Sequence, residues 1–144
     1  MMGLDMYLNA KRYLWDADKD IKDKIAEALP EIKAEIKTIV VKAAYWRKAN
    51  AIHKWFVDKI QDGADDCREY NVTLEQLQDL VALCKEVLSN KEKALELLPP
   101  INGFFFGSNE TDDWYWESLE NTITQLEECL KWPAEWDFYY DSSW

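Results

Sequence analysis

The 144-residue chain contains one histidine, His53, and four glycines, at positions 3, 63, 103 and 107. A lone histidine excludes zinc motifs that need two or more. The three separated cysteines, Cys67, Cys84 and Cys129, form no C-x-x-C pair and so exclude the all-thiolate alternative. The glycine positions do not compose G-x-G-x-x-G, and no G-x-x-x-x-G-K-[ST] is present, so the common dinucleotide and nucleoside-triphosphate cradles are absent. Nothing approaches the roughly 18 consecutive apolar residues of a membrane span. The opening stretch from Met1 to Met6 lacks a basic flank and meets Asp5 early, so no secretion signal is expected. An odd number of scattered cysteines points to reduced thiols and a cytosolic setting.

Cations are also scarce. Lys plus Arg is 17 against 28 Asp plus Glu, a formal charge of −11. That balance argues against direct binding to a nucleic-acid backbone, which needs cations to neutralise phosphates. The deficit is uneven. Up to Lys93, sixteen cations stand against seventeen acids; from Ala94 onward, Lys131 is the single cation among eleven acids. The same final stretch holds twelve of the twenty aromatic residues. Acids with interleaved aromatics define one candidate surface, centred on Trp114, Trp116, Glu117, Trp136 and Tyr140, that would dock on a basic partner protein and could mimic nucleic acid.

Periodicity gives a coarse architecture. Residues 4–14 partly alternate and read as a strand. Ile21, Ile25, Ala28 and Leu29 follow helical spacing until Pro30. Over residues 31–62 two readings compete. Thr38-Ile39-Val40-Val41 is β-branched and suggests a strand leading into a helix at Tyr45. Ile32, Ile36, Ile39, Ala43, Trp46, Asn50, His53, Val57 and Ile60 step by four and three, which would suit one long helix. The strand-then-helix version is preferred, with Asp62-Gly63 ending the helix in a left-handed turn. Thr73 and Gln76 form a T-x-x-Q capping box before Leu77, Leu80, Val81, Cys84, Val87 and Leu88. Thr111 is a cap for a last helix with a stripe of Leu119, Ile123, Leu126 and Leu130, which Pro133 ends. Residues 136–140 read as a terminal strand. The expected fold is one α+β domain over residues 1–144, helix-dominated, with a small antiparallel sheet built from the chain ends and residues 38–44; the alternative is all-α.

Catalytic constellations are weak. Cys67 lies among Asp65, Asp66 and Glu69, which disfavour a thiolate, and Cys84 and Cys129 fall on or beside core stripes. Asp16, Asp18, Asp20 and Glu27 match positions 1, 3, 5 and 12 of a calcium loop, but Ile21 stands where the turn needs glycine, and an amphipathic helix explains the same residues. No spacing singles out a carboxylate pair. A non-enzymatic protein without metal or cofactor is therefore expected.

The segment from Tyr45 to Val57 is richer in polar function than a core helix needs. A helix there would align Arg47, Asn50 and Lys54 at i, i+3 and i+7, with Trp46 and His53 bordering. Such a face would grip a small anionic, nucleotide-like ligand, with Trp46 or Phe105 of the Phe104-Phe105-Phe106 loop stacking on a base. The opposing explanation is that these cations pair internally with the acidic last third.

Four separated blocks, Met2 to Leu8, Tyr45 to Phe56, Gly103 to Ser108 and Phe138 to Trp144, together resemble a family of small uncharacterised proteins encoded by bacteriophages and prophages. Residues 15–37 depart from that pattern. The resemblance carries no catalytic residues with it. It implies an accessory protein of the infected bacterial cytoplasm that acts by binding and counteracts host defence, expected as a homo-oligomer.

Overall fold

The first strand, β1 (Asp5–Tyr13), alternates as the pleat requires: Met6, Leu8 and Ala10 turn inward with Leu4 before them, while Tyr7, Asn9 and Lys11 turn out. A computed structural model describes residues 3–100 and 113–144. The elements that follow are α1 (Lys19–Ala28), β2 (Thr38–Arg47), α2 (Asn50–Lys59), β3 (Tyr70–Val72), α3 (Leu74–Ser89), α4 (Ala94–Leu97), α5 (Asp113–Cys129) and β4 (Asp137–Ser143). The four strands form one antiparallel sheet in the order β2-β1-β4-β3. The chain is thus a helix-dominated α+β domain in which both chain ends supply the central strands.

β2 is the informative strand. Leu8 pairs with Ala44 but Asn9 pairs with Lys42, so Ala43 is an extra residue, a bulge. The bulge resets the alternation: Ala44 and Trp46 are buried, and Ile39 and Val41, on the other phase of the sequence, are half-buried. Tyr45 and Trp46 therefore lie in the strand, and the helix begins at Asn50. This corrects the expected helix start at Tyr45 and excludes one long helix over residues 31–62. The corner between them is Lys48 in the left-handed region, φ 53°, its N–H bonded to the Leu4 carbonyl at 2.8 Å.

The buried faces of α2, α3 and α5 share one core with the inner side of the sheet. It contains Ile52 and Phe56 of α2, Leu77 and Leu80 of α3, Leu119 and Leu126 of α5, and Phe138 and Tyr140 of β4. The Phe56 and Tyr140 rings stack at 3.8 Å, nearly parallel. The capping box forms as expected, with Gln76 N–H on Thr73 Oγ1 at 3.1 Å and Thr73 N–H on Gln76 Oε1 at 2.9 Å. α2 ends at Lys59, earlier than expected, and Gly63 (φ 83°) closes the following turn onto the Val57 carbonyl. The short β3 has no counterpart in the sequence reading. The expected cap Thr111 lies outside the described residues. Among the described residues no helix is long and apolar enough to cross a membrane.

Candidate functional site

The end of β2 and the first turns of α5 diverge around a cleft of about 310 Å³, lined by Tyr45, Trp46, Arg47, Ala49, Trp114, Glu117, Ser118 and Asn121. That volume lies at the small end of the range for small-molecule sites, about 300–1,000 Å³. Its two walls are held together by specific bonds. The Gln125 side chain grips Tyr45 from both sides, accepting from its N–H and donating to its carbonyl, each at 2.9 Å. Trp46 Nε1 donates to buried Thr122 Oγ1 at 2.9 Å, and Trp114 Nε1 donates to the Lys48 carbonyl at 3.0 Å.

Chemistry in the cleft is mixed. Arg47 is exposed at one lip, and Glu117 is exposed on the α5 side. Trp114 keeps 47 % of its surface open, which leaves an aromatic face for a flat ligand. The side chains of Lys48 and Arg47 pass over Gly3, where a Cβ would stand 3.5 Å from Lys48 Cε and 3.6 Å from Arg47 Nη2, ordinary contact distances. Two cationic side chains thus converge over the glycine. The Tyr45 hydroxyl donates to Asp5, a bond that raises the Tyr45 pKa and keeps the phenol neutral.

Several predicted site residues lie elsewhere. Arg47, Asn50 and Lys54 do not share a helix face, because Arg47 ends the strand and the left-handed Lys48 intervenes. Asn50 is buried, and half-buried Lys54 forms an ion pair with Asp58 one turn on. Trp46 is only 2 % exposed, packed on Phe56, and forms the floor of the cleft in place of a stacking platform. Phe105 lies outside the described residues. Of the acidic-aromatic group, Trp114 and Glu117 reach the cleft, and Trp116 sits under Lys91 Nζ at 4.8 Å from its ring. Trp136 is half-buried against Trp132, and Tyr140 is fully buried. Those five residues therefore do not form one docking surface.

His53 is an interior residue. Its Nδ1 lies 2.6 Å from the Tyr140 hydroxyl and its Nε2 3.0 Å from Asp65 Oδ1, which also accepts from Trp144 Nε1 at 3.1 Å. Burial lowers the His53 pKa, opposed by Asp65, and burial pushes the Tyr140 phenol well above its usual range. The consistent arrangement is a neutral imidazole that accepts from Tyr140 and donates to Asp65. It fastens α2 to β4 and to the loop after α2. Asp18 of the calcium-like series is engaged locally, accepting from Trp15 N–H and from Arg12, and among the described residues no three potential metal ligands gather.

Sequence reasoning missed Tyr45, Lys48, Ser118 and Asn121. The signal for two of them was present: Trp114, Glu117, Ser118 and Asn121 recur at helical spacing on one side of α5. Comparison with protein-family models, curated proteins and solved structures found no match to this chain.

Proposed function

We propose that the protein is a non-enzymatic binder of a small, flat, anionic ligand of the nucleotide class, held in the cleft between β2 and α5. The observation that carries this reading is the convergence of Arg47 and Trp114, distant in sequence, on one small cleft. Arg47 offers a planar fork for a phosphate, with Lys48 beside it as a second positive charge. Trp114 offers a stacking face, worth about 1–3 kcal/mol for a base. Glu117 disfavours a second anionic group near α5 and instead suits a base edge carrying N–H donors. The ligand these groups fit is a mononucleotide-sized molecule with its base toward Glu117 and its phosphate toward Arg47. In the phage setting that the sequence blocks imply, such capture would withdraw a nucleotide signal from host defence.

Isothermal titration with guanosine and adenosine monophosphates, and with cyclic dinucleotides, tests this directly. Arg47→Ala is expected to weaken binding by about tenfold or more, as loss of a charge-assisted bond does, with the melting temperature nearly unchanged because Arg47 is exposed. Trp114→Ala should weaken it comparably. Absence of binding to every such probe, or unchanged affinity in Arg47→Ala, would overturn the assignment.

A further inference from the structure

β2 is an outer strand of the sheet, and among the described residues no strand pairs with its outer edge. The Leu14 N–H donates to the Lys37 carbonyl at 2.7 Å, which fixes the phase of the β1–β2 ladder at its open end. In an antiparallel ladder residues alternate between bonding inward and facing out. The backbone N–H and C=O of Thr38, Val40 and Lys42 therefore face away from β1. Beyond the bulge, Tyr45 also faces out, but Gln125 occupies its groups. Natural edges are normally blunted by proline, charge or brevity. This one is ten residues long and carries charge and a bulge only from Lys42 onward; its first four residues, Thr38-Ile39-Val40-Val41, hold no charge or proline, and Val40 is 56 % exposed. The opposite edge, β3, is three residues long and is preceded by Asp65, Asp66 and Glu69.

We propose that this edge is a self-association surface, on which two copies of the chain pair antiparallel about a two-fold axis through Val40, joining two four-stranded sheets into one. The register is self-compatible. Val40 meets the partner's Val40, and Thr38 meets the partner's Lys42, so no like charges stand opposite each other. The pairing would complete six backbone hydrogen bonds. One step further, the partner's Lys37 comes opposite Ala43, whose carbonyl already receives the Cys129 thiol at the C-terminal end of α5. A helix C-terminus and neighbouring Glu128 supply negative potential for that lysine. Charge also selects this edge over the rest of the molecule, because the N-terminal 93 residues are nearly neutral while the acids crowd the remainder.

The excursion between β1 and β2 fits the same partner. From Trp15 to Lys37 no residue is buried, although α1 is amphipathic, with Ile21 and Ile25 on one face. The excursion is nonetheless ordered by the Lys22–Glu35 ion pair at 2.7 Å and the Leu14–Lys37 bond at its base. Trp15, Leu29 and Ile32 are 66 %, 43 % and 41 % exposed. With five lysines and seven acids, this arm is close to neutral. In the paired arrangement each arm leaves its strand beyond the partner's Lys42, adding apolar area toward the roughly 800 Å² per partner of a standard interface.

Sedimentation velocity on the full chain at tens of micromolar should show a dimer. Val40→Pro removes an outward N–H while sparing the inner ladder, and Val40→Lys sets two ammonium groups face to face; both should sediment as folded monomers. Mixing the Val40→Lys and Val40→Glu proteins should restore dimers. Hydrogen exchange supplies an independent readout: the Val40 and Lys42 amides of the unaltered chain should exchange more slowly as concentration rises. A monomeric unaltered chain at these concentrations, a dimer that survives both Val40→Pro and Val40→Lys, or fast, concentration-independent exchange at both amides would overturn the proposal.

Discussion

Replacing Thr122 by valine keeps the shape of a fully buried side chain and deletes one oxygen. That oxygen accepts from the Trp46 indole at 2.9 Å and donates to the Ser118 carbonyl at 2.6 Å. The Ser118 carbonyl is an acceptor within α5, so losing the hydroxyl's donation costs it little. The indole N–H has no such reserve: Trp46 is 2 % exposed, and a desolvated donor left without its acceptor costs about 1–3 kcal/mol. For a chain of this length that corresponds to a melting-temperature drop on the order of 3–10 °C. Urea unfolding should show a lower midpoint with an unchanged slope. Trp46→Phe removes the donor itself, so a double-mutant cycle isolates the bond, and the coupling expected is about 1 kcal/mol or more. The cleft walls depend on this tie, so Thr122→Val should also weaken any ligand that Trp114→Ala weakens. A Thr122→Val protein within about 0.5 kcal/mol of the parent, or additive behaviour in the cycle, would refute the reasoning.

Two further outcomes follow from burial. The Cys84 thiol is pushed up to about 12 and that of Cys129 to about 11 by desolvation, whereas Cys67 is exposed. A thiol-reactive chromogen should titrate one cysteine quickly in the native protein and all three in denaturant; rapid labelling of Cys84 or Cys129 in the native state would contradict the packing. Burial also holds His53 below its ordinary value of 6.5, so beneath that pH the unfolded chain binds a proton that the folded chain refuses. The stability tied to neutral His53 is therefore complete above pH 6.5 and is lost as pH falls toward the folded-state value, at up to about 1.4 kcal/mol per pH unit. Denaturation midpoints compared between about pH 7.5 and 5.5 should fall in the parent and change less in His53→Gln. Asp141, whose pKa is raised by burial, acts with the opposite sign in both proteins and cancels in the comparison. Equal pH dependence in parent and variant would remove His53 from this role.

Much of the fold is legible from local chemistry. The Thr73–Gln76 box, the Leu77–Val87 stripe, the alternation in β1 and the terminal strand each satisfy a short-range rule, and each forms. The failures cluster where a long-range partner decides. Tyr45-Trp46 falls in a helix under both sequence readings until the Ala43 bulge and the Gln125 grip place it at a sheet edge, because a single inserted residue shifts which phase faces the core. The Arg47–Asn50–Lys54 spacing presupposed a helix, and one left-handed residue, Lys48, separates the strand from it. His53 reads as a ligand-facing group because its partners, Asp65 and Tyr140, are 12 and 87 positions away. β3 is too short to carry a pattern of its own and exists by pairing with β4.

The charge split in the sequence acquires a structural meaning once α5 is laid beside β2. Read along the chain, the cationic segment around Arg47, inside the near-neutral region, and the acidic, aromatic residues from Trp114 to Tyr140 are two competing candidate sites. Folding makes them opposite walls of one cleft, with Arg47 on one side and Glu117 on the other. A surface that mimics nucleic acid would need its carboxylates aligned without an intervening cation, and its aromatics together on the outside. Here Tyr140 is in the core, Trp136 packs on Trp132, and Trp114 faces Arg47's wall. As a proposed binding site, a bipolar cleft would discriminate differently from a basic groove: the surrounding −11 field and Glu117 would disfavour polyanions, and a small molecule with one negative end and one hydrogen-bond-donating end would fit best. If the proposed nucleotide reading holds, the same acidity that argues against nucleic acid as a partner would sharpen selection for a single nucleotide over a polymer. For the proposed self-association, it would also leave the near-neutral β2 edge, on the same strand as Arg47, as the place where a second copy meets least repulsion.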